Sequence, residues 1–429
     1  MHRSRTQGRA NVVLMAGVLF NLSISLLYSW SVIKSGLTDA PDVGGFGWSS
    51  AQAGLPYTIA IVFFALGLLG GGIVQDRIGP RKVITAGGLL AGLGMVLSSF
   101  AGQSVLGVCL TYGVLTGTGI GLGYGCVTPC ALKWFDPSKK GLVAGLVVGG
   151  FGLAAVYLAP ATQMLIEGFG ISQTFLILGI VTIAVSVPIA QLIKNPEADY
   201  VPASASVRKA GRASVERTPD RTWRQMIRTK EFYLLFALFA LSSSVGLMII
   251  GNLSKIATIQ DPASAAGYAA LLVSLLALFN TGGRVVGGIL SDKIGCINTL
   301  VLVFAIQCLN MCLFALYGSF ALLTLGALFV GFSYGTLLSV FPSMTADLYG
   351  LRNYGTNYGI LYLAWGLSGV LAPVMADVVF DVTGTFDAAY LICAAILALC
   401  ILLGVILKRR LDGVKRKAVS LEHEDSPIG

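Results

Sequence analysis

Twelve apolar runs, each long enough to cross a lipid bilayer, leave this chain few ways to fold. They lie at about 11–33, 50–74, 83–101, 104–130, 141–164 and 171–193, then 231–254, 265–290, 297–317, 320–346, 354–376 and 386–407. A helix needs about 20 apolar residues to span a hydrocarbon core of roughly 30 Å. Inside that core every backbone N–H and C=O must be paired within the protein, so runs of this length cross as helices. Composition agrees: 55% of residues are hydrophobic and 11% charged, against about 25% charged in soluble domains. The 54 glycines suit membrane helices, whose backbones approach closely where side chains are small.

A polar stretch, 194–230, divides the runs into two sets of six. The expected fold is therefore an all-α membrane protein with twelve transmembrane helices in two pseudo-symmetric six-helix bundles, 11–193 and 231–407. A cytoplasmic linker (194–230) joins them and a basic tail (408–429) follows. Even numbers of spans put both termini on one side, and charge says which. Apart from Lys34, Lys255 and Arg284, every lysine and arginine falls in the tails, the linker or the loops on the terminal side, which marks that side as cytoplasmic. The net charge of +9 thus reports topology, and nucleic acid is not an expected partner. The linker's end, Trp223 to Ile227, places apolar residues at helical spacing among arginines. It reads either as a short helix on the inner leaflet or as a solvated loop.

Several chemistries are excluded. No C-x-x-C pair occurs and both histidines, His2 and His423, lie in the tails, so neither a metal site nor a disulfide framework is expected. No G-x-x-x-x-G-K-[ST] signature is present, so a gradient, not ATP, is the expected energy source. No nucleophile–base pair lies at depth, which argues against an enzyme, and no cofactor is called for. The basic start from His2 to Arg9 runs into the first apolar stretch without a small-residue cleavage site and reads as a retained first helix.

The polar group that stands out is Arg284. Eight residues separate it from Asp292, where its helix should reach water, so at about 1.5 Å per residue it lies some 12 Å deep. Guanidinium does not deprotonate, and burying it costs about 2.5–3.5 kcal/mol on insertion scales, so such a residue normally faces a polar cavity with a task. The structural alternatives are an arginine satisfied by backbone carbonyls or one snorkelling to the interface. No carboxylate falls at comparable depth, although Asp377 lies near a helix end. A lone cation wants an anion, and guanidinium holds a carboxylate through two parallel hydrogen bonds. Asn280, at i−4, shares its helix face.

The halves repeat. Gly71-Gly72-Ile73-Val74-Gln75-Asp76-Arg77-Ile78-Gly79 matches Gly287-Gly288-Ile289-Leu290-Ser291-Asp292-Lys293-Ile294-Gly295, and Gly145, Gly152 and Ala159-Pro160 match Gly359, Gly366 and Ala372-Pro373. Parallel six-helix repeats are the architecture of rocker-type secondary transporters, with the site between them near the midplane.

The repeated G-x-x-x-D-[RK]-x-G loop, with Pro80-Arg81-Lys82 after its first copy, resembles the signature of the major facilitator superfamily. Leu278-Phe279-Asn280-x-Gly282-Gly283-Arg284, the Lys133-Trp134-Phe135 to Gly145 stretch, Tyr28-Ser29-Trp30 and Asn357-Tyr358-Gly359 resemble its oxalate/formate antiporter and monocarboxylate transporter branch. The resemblance spans about 11–407. It implies that Arg284 reads the substrate and that Asp76, Arg77, Asp292 and Lys293 belong to a gating latch, for which a plain structural turn is the alternative. Three departures matter. Trp365 stands where the oxalate-type pattern has lysine, which points to a monocarboxylate. Asn280 replaces the aspartate of animal-type members. Lys34 sits two residues beyond the family's span-1 lysine, as either an outer gate residue or a loop charge.

Tyr124, Tyr334, Tyr28, Tyr358 and Tyr362 complete the candidate site. Each offers an apolar face and one hydroxyl to a small hydroxy- or keto-acid, packing or an interface position being the alternative for each. The expected function is lactate- or pyruvate-like monocarboxylate transport by a multi-pass monomer in a bacterial inner membrane. Protons would be the co-substrate, crossing through Asp377, Lys34 or the substrate itself. Anion exchange is the alternative, and a carboxylate sensor on a transporter scaffold a more distant one.

Overall fold

The computed structural model describes residues 2–41, 44–197, 200 and 220–424, leaving aside the side chains at 2–7, 50, 266, 270, 373–375, 377 and 414–424. The described chain is helical throughout. In order come α1 (His2–Ser23), α2 (Trp30–Thr38), α3 (Ser50–Ile78), α4 (Pro80–Phe100), α5 (Val105–Val108), α6 (Gly117–Leu132), α7 (Lys140–Ala190), α8 (Trp223–Met226), α9 (Lys230–Gln260), α10 (Ala269–Ile294), α11 (Cys296–Leu313), α12 (Phe320–Tyr349), α13 (Tyr354–Thr383) and α14 (Asp387–Glu424). Among the described residues, ten helices are long and apolar enough to cross a membrane.

Two of the expected spans run together. Lys140–Ala190 is a single stretch of 51 residues, broken at Gly170, whose φ of 79° and ψ of 172° turn the chain out of the helix. The first span is interrupted instead of continuous. After Ser23 the chain leaves the α-helix, makes a tight 3-10 turn at Leu26–Ser29, and resumes as α2. The fourth span also departs from regularity, with wide π-type turns over Cys109–Thr116 between α5 and α6.

The repeated loop has one conformation in both copies. Gly79 and Gly295 close their helices at φ of 86° and 89°, a region that only glycine enters without strain, and their N–H groups bond back to Gln75 and Ser291. Each motif aspartate then reaches across to the other half of the chain. Asp76 accepts from the Thr356 amide and hydroxyl, both at 2.9 Å. Asp292 accepts from the Gly141 and Leu142 amides at 2.7 and 2.9 Å. Each carboxylate therefore caps the exposed N–H groups that begin a helix, α13 or α7, where negative charge is favoured. Lys140 adds an ion pair to Asp347 at 2.6 Å. Arg77 and Lys293 are exposed and join no ion pair among the described residues.

Glycines let the two halves meet at this end. A Cβ on Gly72 would overlap the backbone of Gly355, and one on Gly141 would overlap the carbonyl of Gly288. The helices α3 and α13, and likewise α7 and α10, therefore touch backbone to backbone.

The polar connection is pinned at both ends. Trp134 donates to the Lys194 carbonyl at 2.7 Å and packs on Tyr200. Asp220 accepts from the Leu351 and Arg352 amides, each at 3.0 Å. The linker's end carries one short helical turn, Trp223–Met226, opened by a Thr222/Gln225 capping box.

Candidate functional site

Arg284 lies on α10, facing α7 and the turn after α1. It is 2% exposed. Three neutral oxygens hold it: Nε donates to Asn280 Oδ1 at 3.1 Å, Nη1 to the Val148 carbonyl at 2.6 Å, and Nη2 to the Tyr28 hydroxyl at 3.3 Å. No carboxylate contacts it among the described residues. In place of the expected free guanidinium in an open cavity, the side chain is buried and bonded, with a carbonyl of the facing helix as one partner. The charge itself is uncompensated. A guanidinium has five N–H groups, so the three bonds leave one on each η nitrogen.

The helices bring most of the expected residues to this point, and sequence spacing explains how. Asn280 is one turn before Arg284 on α10 and orients it directly. Gly335 on α12 allows the approach from one side, since a Cβ there would strike the Asn280 carbonyl. Gly152 on α7 allows it from the other; a Cβ there would stand 3.1 Å from the guanidinium carbon and 2.9 Å from Thr281 Oγ1. Tyr28 meets the guanidinium directly through its hydroxyl, and Tyr124, Tyr334 and Tyr362 lie near it. Tyr124, Tyr334, Tyr358 and Tyr362 are all buried.

These rings form one packed cluster across both halves. Tyr362 lies 5.5 Å from Tyr358, 5.1 Å from Trp365 and 6.1 Å from Tyr124, centroid to centroid. Trp365 donates its indole N–H to the Tyr334 hydroxyl at 2.6 Å. The Tyr358 hydroxyl is buried without a hydrogen-bond partner among the described residues, which is costly unless something else satisfies it.

Three members were not anticipated. Phe64 on α3 touches Tyr124, Tyr362 and Trp365, and Phe151 on α7 touches Tyr28 and Tyr124. A phenylalanine within an apolar span carries no signal that sets it apart from core. The third is the Val148 carbonyl, which no side-chain pattern reveals, although the neighbouring Gly149, Gly150 and Gly152 do mark a close approach. Lys34 is half-buried on α2 and does not touch Arg284 among the described residues. The side chain of Asp377 lies outside the described residues.

Arg284 is the only buried lysine or arginine among the described residues, and the family and fold in which it sits are those of a transporter and not of an enzyme. The chain belongs to the Major Facilitator Superfamily, whose profile matches residues 11–320 and 270–428. Within it the chain falls in the oxalate/formate and monocarboxylate transporter-like branch. It is 29% identical over 367 residues to the uncharacterized MFS-type transporter YhjX of Escherichia coli, covering 84% of this chain and 85% of that one. The oxalate:formate antiporter of Oxalobacter formigenes is 26% identical over 419 residues, covering 97% and 95%. Monocarboxylate transporter 12 of Mus musculus is 28% identical over 379 residues, covering 83% and 77%. The fold matches the proton:xylose symporter XylE with a TM-score of 0.73 at 14% identity over 92% of this chain and 95% of that one. It matches FucP in its outward conformation with a TM-score of 0.65 at 17% identity, over 92% and 99%.

Proposed function

We propose that this protein moves a small monocarboxylate anion, lactate- or pyruvate-like, across a bacterial inner membrane by alternating access, with proton symport. On this reading twelve spans form two bundles, 11–193 and 231–407, in a monomer with cytoplasmic termini. The break at Gly170 splits α7 into two of those spans, and α13 supplies another. The basic end, where Asp76 and Asp292 cap helices of the opposite half, is then the closed cytoplasmic gate.

The observation that carries the reading is the state of Arg284. It is buried between the halves, bonded among the described residues only to neutral oxygens, and has one N–H left on each η nitrogen, enough for the two oxygens of a single carboxylate. Trp365 and Tyr334 satisfy each other where a second cation would be needed for a dianion. The surrounding rings leave an apolar wall for a methyl or short alkyl end.

Exchange of anions is the second reading. It is favoured by the lack of a carboxylate at the guanidinium among the described residues, which leaves no evident proton carrier there. Proteoliposomes empty of anion, given an inward pH gradient, separate the two. Symport predicts accumulation of one of lactate, pyruvate, acetate or formate under that gradient alone. If uptake instead requires internal anion, exchange is correct.

A further inference from the structure

The first span breaks at membrane depth, and the way its backbone is satisfied identifies residues that aim the candidate site. In a continuous helix the Leu26 amide would bond to the Leu22 carbonyl and the Trp30 amide to the Leu26 carbonyl. Here the Leu26 amide turns back to Ile24 at 2.8 Å, and the Trp30 amide bonds to Leu27. The Leu22 carbonyl is thereby released from the helix, while the 3-10 turn pairs the Leu26 carbonyl with the amide three residues on; a released carbonyl within a membrane is tolerated only where protein supplies the missing donor. Ile24, Ser25, Leu26 and Ser29 are buried.

Tyrosines from two other parts of the chain donate to these carbonyls. Tyr157 on α7 donates to the Leu22 carbonyl at 3.1 Å. Tyr112, in the π-type turns before α6, donates to the Leu26 carbonyl at 3.4 Å, which also receives the Ser29 hydroxyl at 2.6 Å. Tyr112 further stacks on Trp30, with centroids 4.2 Å apart. Tyr157 is not placed as an interface tyrosine. It is five residues beyond Gly152, which faces the guanidinium, and so only about 7–8 Å further along the helix. Its ring is 44% exposed, yet its hydroxyl turns inward onto the broken span. The turn they stabilise carries Tyr28, whose hydroxyl meets Arg284.

We propose that Tyr157, assisted by Tyr112, is a positioning residue for anion recognition: it fixes the break in the first span so that Tyr28 reaches Arg284. This rests on the reading of Arg284 and Tyr28 as the anion site. The hydrogen bond from Tyr157 matters for transport only through Tyr28, whereas a bond that merely held two helices together would matter whether or not Tyr28 had its hydroxyl.

The test is a double-mutant cycle in proteoliposomes on the full chain, using whichever of radiolabelled lactate, pyruvate, acetate or formate the unaltered protein takes up with the lowest KM. Tyr157→Phe should raise KM about three- to tenfold, the worth of one hydrogen bond, with the maximal rate nearly unchanged. In a Tyr28→Phe background the same substitution should add nothing. A KM unmoved by Tyr157→Phe, or raised equally in both backgrounds, overturns the proposal. Should Tyr157→Phe not accumulate as folded protein, Tyr112→Phe is held to the same background dependence. If Arg284→Lys and Tyr28→Phe also leave KM unchanged, it is the anion site itself that is misplaced; if they raise it while Tyr157→Phe does not, the positioning role alone fails.

Discussion

Replacing Arg284 by lysine keeps the buried charge and removes the fork, so it isolates what the guanidinium does beyond being positive. The native side chain spends three N–H groups on Asn280, Val148 and Tyr28 and keeps two for a ligand. An ammonium has three N–H groups in all. Two of them are needed for the Val148 carbonyl and Asn280 Oδ1, which would otherwise be buried without donors. One then remains for the anion. A hydrogen bond to a charged group is worth about 1.5–3 kcal/mol, so losing one of two should raise KM roughly 10- to 100-fold. The maximal rate should fall far less, because the charge that draws the anion in is preserved. Initial-rate uptake in proteoliposomes reads both parameters, and melting temperature in detergent confirms that the variant is folded. A folded Arg284→Lys protein with KM within about twofold of the unaltered one would refute the reasoning, since the fork would then contribute nothing to recognition.

Other substitutions probe neighbouring parts of the same arrangement. Gly152→Ala places a methyl against the guanidinium and Thr281, so it should raise KM at least several-fold, as off-rotamer displacement of Arg284 requires; an unchanged KM would show that the side chain has room to spare. Trp365→Lys removes the indole bond to Tyr334 and adds a second cation, and competition assays should then show a shift of preference towards dicarboxylates such as oxalate. Asp292→Asn weakens the cap on α7, a contribution of about 0.5–2 kcal/mol for a charge at a helix start. Distances between spin labels on the ends of α7 and α10 that meet at Asp292 should then show an enlarged open population. An unaltered distribution would mean that the carboxylate does not hold this end shut.

Much of the fold could be read from the residues because membrane burial writes itself into composition. Span lengths, the repeated G-x-x-x-D-[RK]-x-G loop and the lone deep arginine each follow from a cost that only certain residues avoid. Asn280 was legible for the same reason, being a polar side chain one turn from a buried cation. The interruption of the first span was not. Ile24 to Ser29 carries neither glycine nor proline, and the tyrosines that bond to the broken turn, Tyr112 and Tyr157, come from other spans. Phe64, Phe151 and the Val148 carbonyl escaped detection because their role is set by what they meet in three dimensions. Nothing in an apolar run distinguishes a phenylalanine facing a neighbouring ring from one facing lipid.

The repeat also hides an asymmetry that the packing exposes. By sequence the two latch loops are copies, and both aspartates do cap a helix of the opposite half. Yet the seam between α7 and α10 carries three charged contacts: Asp292 on the Gly141 and Leu142 amides, Lys140 on Asp347 of the adjoining α12, and Arg284 on the Val148 carbonyl. The seam between α3 and α13 has Asp76 on Thr356, glycine contacts, and the packing of Phe64 on Tyr362 and Trp365. A ligand shifts a conformational equilibrium only through what it binds differently in the two states. An anion binding the two spare N–H groups of Arg284 shares the guanidinium with the Val148 carbonyl, and so acts on the α7–α10 seam before any other. The aromatic seam offers such an anion no buried cation among the described residues. On the proposed function, then, the charged seam is the one that senses the cargo, while the aromatic seam sets the shape that cargo must have.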